Sequence, residues 1–216
     1  MSKNVSVAID GPVGSGKSTI SRKCAEKLGF IYVDTGALYR ALGVYHGEDY
    51  ATFDSSVAIE IKFVDGEQRV FVNGEDYTDK IRTPKASMLA SAISAKPEVR
   101  AFLLDLQRSF AKEHSVIMDG RDIGTVVLPN ADIKIFLTAD PKERARRRYD
   151  ELIAKNGEGS VEFENVLADL NERDYNDSHR EHAPLRQADD AIVADTTGNS
   201  FEESIELVLS IIKENM

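Results

Sequence analysis

A single cysteine, Cys24, stands among 216 residues. One thiol cannot close an intramolecular disulfide, and it excludes both a disulfide framework and a cysteine-based zinc cluster. Beside apolar neighbours in a helical pattern, Cys24 reads as a small buried hydrophobe. No stretch approaches the roughly 18 consecutive apolar residues that a membrane-spanning helix needs. The first strand pattern begins at Val5, leaving no room ahead of it for a secretory signal, and with the lone cysteine this predicts a cytoplasmic protein. Basic residues are also in deficit, 27 Lys and Arg against 37 Asp and Glu, for a formal charge of −10. That balance speaks against a nucleic-acid partner. With no evident exposed apolar helix face, the acidic surface points to a monomer. Internal repeats and low-complexity tracts are lacking, and the length suits one domain with a small inserted lobe.

What is present is a rhythm of strand and helix. Val5 to Asp10 reads as a buried strand, Lys17 to Leu28 as a helix, Phe30 to Val33 as a second strand, and Ala37 to about Val44 as a second helix. This alternation predicts a parallel α/β sheet. The rhythm then breaks. Ile59, Ile61 and Phe63 alternate with polar residues, "DGEQ" turns the chain, and Val70 and Val72 alternate again, which predicts an inserted β-hairpin. A helical stretch from about Pro84 to Lys112 follows, interrupted at Pro97. "SVIMDGRDIG" and "DIKIFLTA" return to the core pattern, and "AIVAD" near 191–195 is a fifth strand. Asp140-Pro141-Lys142-Glu143 and Ser200-Phe201-Glu202-Glu203 carry helix-start signals. The last helix shows Ile205, Val208, Leu209 and Ile212 on one face.

The first turn carries the chemistry. "VAIDGPVGSGKST", Val7 to Thr19, satisfies G-x-x-x-x-G-K-[ST] with Gly11, Gly16, Lys17 and Ser18. Its glycines let successive N–H groups of Gly11, Pro12-flanking Val13, Gly14, Ser15 and Gly16 wrap a phosphate, and the helix that follows adds its positive end. Lys17 can reach the β- and γ-phosphates, the Ser18 hydroxyl can bind Mg²⁺, and Thr19 follows in the first turn. A strand before and an amphipathic helix after supply the context the motif requires, so a nucleoside triphosphate is the expected ligand. Asp119, at the end of the "SVIM" strand, has the position of an acidic residue that orients Mg²⁺ or its waters.

Several phosphate-loop classes drop out. The Asn-Lys-x-Asp guanine-reading motif of GTPases is missing. Asp34-Thr35-Gly36 matches the aspartic-protease triplet, but it occurs once and opens a helix, so Thr35 reads instead as a helix cap placing Arg40 towards an anion. A small-molecule kinase needs arginines away from the loop to neutralise the transferring group. The chain offers Arg40, Arg100, Arg121, Arg173, Arg180 and the run "ERARRRYD" from Glu143. Arg173, Asp177 and Arg180, spaced i, i+4 and i+7, would line one helix face.

At full length the motifs resemble those of bacterial cytidylate kinases, members of the P-loop nucleoside monophosphate kinases. The matching stretches are "IDGPVGSGKST", "DTGALYR", "VNGEDYTDKIRTP", "DGRDIGTVVLPNADIKIFLTA", "ERARRR" and "ERDYNDSHREHAPL". The resemblance implies a P-loop kinase-type α/β fold, a five-stranded parallel sheet flanked by helices. It implies a core of about 1–56, 113–143 and 161–216, a monophosphate-binding insert of about 57–112 containing the hairpin, and a short lid of about 144–160, all in one domain spanning 1–216. Ser91, Arg100 and Asp122 would read cytosine, Arg173 and Asp177 would contact the ribose, and Arg40, Arg121 and Arg180 would clamp the acceptor phosphate near Thr35. The family frequently has Ser at the place of Thr35, so the hydroxyl is kept; it often has a further arginine where this chain has Asn176. The implied reaction moves the γ-phosphoryl group of ATP, with Mg²⁺, to CMP or dCMP, using Lys17, Asp119 and Arg121 and the lid arginines Arg144 and Arg148. A sibling nucleoside monophosphate kinase preferring UMP or another acceptor, and a non-catalytic P-loop regulatory module, are the alternatives. Chemically, a carboxylate suits the cytosine amino group and a guanidinium suits N3 and O2.

Overall fold

The strand-rich runs of the sequence do become strands in a computed structural model of the chain, which describes residues 4–47 and 53–216. The expected core segment 1–56 thus includes residues 1–3 and 48–52, which lie outside those described. β1 (Ser6–Asp10) is followed by α1 (Lys17–Leu28), β2 (Ile31–Asp34) and α2 (Thr35–His46). The hairpin is β3 (Ile59–Val64) and β4 (Glu67–Val72), with Asp65 and Gly66 at φ 53° and 80°. Two successive left-handed residues are what a tight turn between twisted strands demands, and Asp-Gly supplies them. A second such pair, Asn73-Gly74, turns the chain into a third strand, β5 (Glu75–Asp76), which the sequence reading did not anticipate. Then come α3 (Pro84–Ser94), α4 (Pro97–Glu113), β6 (Val116–Gly120), a π-helical turn (Ile123–Val127), β7 (Ile133–Thr138), α5 (Pro141–Asn156), α6 (Phe163–His179), β8 (Ile192–Asp195) and α7 (Phe201–Glu214). The break between α3 and α4 falls at Pro97, as its missing N–H and rigid φ require.

Five strands form one parallel sheet in the order β2-β6-β1-β7-β8, and β3-β4-β5 form a separate antiparallel sheet. The chain moves from β1 to one side of the sheet and later from β6 to the other. This leaves a crevice at the carboxyl ends of the central strands, where α/β sheets bind ligands. Register puts Asp34 beside Asp119 and Asp10 beside Gly120 at that edge. β1 and β6 are buried on both faces, as central parallel strands are.

Three apolar clusters hold the molecule. α1 and α7 pack on one face of the sheet through Ile20, Cys24, Val208, Leu209 and Ile212 against Ile9, Ile135 and Leu137. Cys24 is fully buried, and burial pushes its thiol up to about 12, so it behaves as the hydrophobe the sequence suggests. Ala8, Val33, Val116, Met118, Ile123 and Val127 fill the other face. The hairpin, α3 and α4 share a third cluster with Leu38 and Leu42 of α2, so α2 is the floor on which the insert stands. Gln68 ties the hairpin to the sheet edge: the Asp34 N–H donates to its Oε1 at 2.8 Å, and its Nε2 donates to the Asp34 carbonyl at 3.0 Å. Among the described residues no helix is long and apolar enough to cross a membrane.

Candidate active site

The phosphate loop leaves the end of β1 where only glycine fits: a Cβ on Gly11 would lie 2.0 Å from the Leu137 carbonyl oxygen of β7. Within the loop Lys17 Nζ donates to the Pro12 carbonyl at 2.6 Å and to Ser15 Oγ at 3.3 Å, and Ser15 Oγ donates to the same carbonyl at 3.1 Å. Burial holds the Lys17 ammonium well below its ordinary range, with the nearby charge of Arg121 adding to the effect. Asp119 lies at the end of β6. Burial, and then the charge of Asp34, raises its carboxyl above the usual carboxylate range. It accepts hydrogen bonds from Ser18 Oγ (2.8 Å) and Tyr32 Oη (2.7 Å). Burial, with Asp119 next, keeps the Tyr32 phenol well above its normal pKa, so the hydroxyl remains a donor.

The cleft runs from this loop to the insert. Its volume is about 390 Å³, and its walls come from the phosphate loop, α2, α3, α4, the segment 119–122, α5 and the end of α6. Arg40 pairs with Asp34 at 2.6 Å, and Arg121 Nε with Asp177 at 2.7 Å. Arg100 pairs with Asp122, and Arg180 Nη2 approaches the other oxygen of Asp122 at 3.5 Å. For Arg173 and Arg180 burial disfavours the charged form, and the neighbouring Arg121 and Arg100, respectively, add to it. Burial also opposes the charge of Arg100, but Asp122 and Tyr39 outweigh it and the net shift is upward. Six guanidiniums and Lys17 thus share a partly dry cleft with five carboxylates, an excess of cationic groups in an acidic protein. A bound dianion would offset both the desolvation and the mutual repulsion.

The cleft brings together Val13, Gly14, Gly16, Lys17, Ser18 and Thr19 with Thr35, Arg40, Ser91, Arg100, Asp119, Arg121, Asp122, Arg148, Arg173, Asp177 and Arg180. Four residues assigned from the sequence do not line it. Gly11, Pro12 and Ser15 lie in the body of the loop. Arg144 is 4% exposed and faces the loop from behind, its Nη1 donating to the Val13 carbonyl and to Asp174 Oδ2, each at 2.6 Å. Asp174 in turn accepts the Val13 N–H at 2.8 Å, so the pair braces the tip of the loop.

Two local expectations are corrected. Thr35 is the first residue of α2 rather than its cap. Asp34 is the cap: it is extended (φ −77°, ψ 94°) and accepts the Ala37 N–H at 2.9 Å. Thr35 Oγ1 donates instead to the Asp119 carbonyl at 2.8 Å, fixing the helix start to β6. Arg180 lies just beyond α6, not on its face, because the chain turns back there and Leu185 N–H bonds to the Asp177 carbonyl at 2.7 Å. Sequence reasoning missed Tyr32, Asp174 and Tyr39. Tyr39 lies in α2 one residue before Arg40, and the Arg100 guanidinium sits 5.5 Å from its ring centroid. Only Tyr32 had a signal: its strand position ahead of Asp34 directs it to the same sheet edge.

Comparison with known proteins bears on the family and the fold. A family model described as cytidylate kinase matches residues 7–214. A cytidylate kinase of Caldicellulosiruptor bescii is 50% identical, covering 97% of this chain and 96% of the relative. One of Geobacter sulfurreducens is 51% identical, covering 96% and 92%. Among solved structures, a shikimate kinase from Bacteroides thetaiotaomicron aligns over 97% of this chain and 98% of its own at TM-score 0.50 and 13% identity. A gluconokinase from Sinorhizobium meliloti aligns over 99% and 94% at TM-score 0.53 and 14% identity. At that identity these two speak for the fold alone, a P-loop kinase-type α/β sheet.

Proposed function

The chain belongs to the cytidylate kinase family, and from that premise we propose how its cleft works. The protein phosphorylates CMP and dCMP with ATP as donor. The observation that carries the residue assignment is the joining, in one cleft, of the loop residues Lys17 and Ser18 with the Arg100–Asp122 pair across a bed of arginines. Lys17 and the loop N–H groups hold the donor phosphates. Arg40, Arg121 and Arg180 clamp the acceptor 5′-phosphate, Arg173 and Asp177 take the ribose, and Ser91, Arg100 and Asp122 read the base. The acceptor phosphate oxygen then attacks the γ-phosphorus in line, the bond to the β-bridging oxygen breaks, and ADP leaves with that oxygen. No covalent enzyme intermediate and no strong general base are required. Arg148, on the cleft side of α5, meets the charge that spreads over the transferring group. The insert of 57–112 and the lid of 144–160 close over the substrates and exclude water.

The residues present suit Mg²⁺. Ser18 Oγ and the Asp119 carboxylate are adjacent oxygen donors at 2.8 Å, and among the described residues no cluster of three or more His, Cys, Asp or Glu could hold a metal unaided. This is the sparse, all-oxygen set of a cation that takes its remaining ligands from phosphates and water. When bound, the cation would supply positive charge to the donor phosphates. Tyr32 and Ser18 fix the Asp119 oxygens that would face it. We also infer that the protein works in the cytoplasm as a monomer without nucleic acid, supported by the net charge of −10.

An ADP-release assay with CMP, dCMP, UMP, AMP and dTMP, on wild type and Asp122→Ala, tests the assignment. Turnover is expected with CMP and dCMP, and loss of the base contact is expected to lower kcat/KM for CMP by about 10²-fold or more. Unchanged acceptor preference in Asp122→Ala would show that another residue reads the base.

A further inference from the structure

The turn that delivers Asp122 to the cleft is a single π-helical turn, Ile123–Val127. Within it Val127 N–H bonds to the Asp122 carbonyl at 3.2 Å and Leu128 N–H to the Ile123 carbonyl at 2.7 Å. One such turn has no neighbouring turns to share its hydrogen bonds, so it depends on partners outside itself. Its flanks, Asp122 (φ −145°, ψ 26°) and Leu128 (φ −124°, ψ 66°), are not helical. The N–H groups at its start and the carbonyls at its end therefore need partners elsewhere in the protein.

Charged side chains meet both ends. The Asp10 carboxylate accepts the Ile123 N–H at 2.8 Å on Oδ1 and the Gly124 N–H at 2.7 Å on Oδ2. At the far end Arg108 Nε donates to the Val127 carbonyl at 2.8 Å and its Nη2 to the Val126 carbonyl at 3.0 Å. An anion at the start and a cation at the end also match the direction of the turn's dipole. Asp10 closes β1 and directly precedes Gly11 of the phosphate loop. Arg108 stands on α4 two helical turns beyond Arg100, the residue that pairs with Asp122 itself. Neither Asp10 nor Arg108 lines the cleft: Arg108 reaches the acceptor site through the turn, while Asp10 acts through the turn and also through its charge beside Asp122 and Lys17.

We propose that Arg108, with Asp10 opposite it, is a positioning residue for acceptor specificity: the two hold the π-turn at its ends and so aim the Asp122 carboxylate at the base. The proposal rests on the reading of Asp122 as the base reader. α4 thereby grips the segment 122–127 at two places, through Arg100 at its start and Arg108 at its end. Asp10 links the same segment to the phosphate loop. A merely structural brace would lower stability without changing which base is preferred.

The test is steady-state kinetics with CMP and UMP at saturating ATP, alongside thermal unfolding, for wild type, Asp122→Ala, Arg108→Gln, Arg108→Lys and the double variant Asp122→Ala/Arg108→Gln. For Arg108→Gln the KM for CMP is expected to rise about tenfold, and the preference for CMP over UMP to shrink, with the KM for ATP unchanged. Arg108→Lys keeps the stem and charge and recovers part of both; it serves as the reading if Arg108→Gln fails to fold. In the Asp122→Ala background the Arg108 change is expected to add nothing to the loss of preference. A wild-type preference in both Arg108 variants, or an undiminished Arg108 effect in that background, overturns the proposal alone. An unchanged preference in Asp122→Ala overturns the base-reading assignment and this proposal with it.

Discussion

Arg144 and Arg148 stand one helical turn apart on α5, yet Arg144 is 4% exposed while Arg148 keeps 38% of its side chain in solvent and pairs with Glu151. Sequence spacing makes them equivalent, but depth gives them different roles. Arg144→Ala leaves Asp174 and the Val13 carbonyl behind without their cation, and removing one member of a buried pair costs about 3–5 kcal/mol. A fall of several degrees or more in Tm and a raised KM for ATP are expected, because Asp174 also anchors the loop at Val13. Arg148→Ala is expected to change stability by no more than about 0.5 kcal/mol, while kcat falls on the order of 10³-fold if its guanidinium neutralises the transferring group. Calorimetry and steady-state kinetics on both variants decide it, and the opposite division of effects would reverse the two roles. What hides this difference from the sequence is that the partner, Asp174, lies on another helix.

α2 crosses α3 so closely that a Cβ on Gly43 would lie 2.9 Å from Leu89 Cβ and 3.0 Å from the Leu89 carbonyl carbon. Backbone cannot yield as a flexible side-chain end can, so Gly43→Ala pushes α3 away at a cost of about 1–3 kcal/mol. Since α3 carries Ser91 into the cleft, the KM for CMP is expected to rise while the KM for ATP, whose loop precedes α1, stays near wild type. Denaturant unfolding and kinetics with each substrate varied check this, and equal changes in both KM values would point to a general loosening. Elements governed by local chemistry were legible in the sequence. α1 runs over the expected Lys17–Leu28, the hairpin turns at Asp65-Gly66, and Ser200 and Glu203 form the reciprocal cap of α7. Elements settled by distant partners were not. The π-turn leaves no period in the sequence, because Asp10 and Arg108 define it from across the fold. Asp34 displaces Thr35 as the cap of α2 because the Thr35 hydroxyl is drawn to the end of β6.

Across the whole molecule, a surface of net charge −10 encloses a cleft rich in arginine, and the sequence already signalled both the acidity and the phosphate loop. It did not show which arginines converge: Ser91 entered only through the resemblance, and Arg100, one of several candidate arginines, gained a place at the base only there, because helix periodicity alone gives them no direction. Nor did it show that burial strengthens the hold of Asp119 in the cleft, and of Asp10 behind it, on a proton. Asp10 is the clearest case. Burial, opposed by the Gly124 and Ile123 N–H groups, pushes its carboxyl up to about 6 from 3.8. The folded chain therefore keeps a proton on Asp10 that the unfolded chain has already released between about pH 4 and about pH 6. Stability from this group is full below the lower value and is lost as pH rises through the upper one. A displacement of roughly two units corresponds to about 3 kcal/mol across that window. Asp10→Asn cannot titrate, so wild type is expected to lose ground against the variant as pH rises from about 4 to about 6, with the difference constant above that. Urea unfolding of both proteins across this range reads the contribution of Asp10 together with its charge coupling to Asp122 and Lys17. Parallel stability curves would mean that Asp10 titrates alike in the folded and the unfolded chain. The two N–H groups of the π-turn would then hold the carboxylate charged as firmly inside the protein as water does outside.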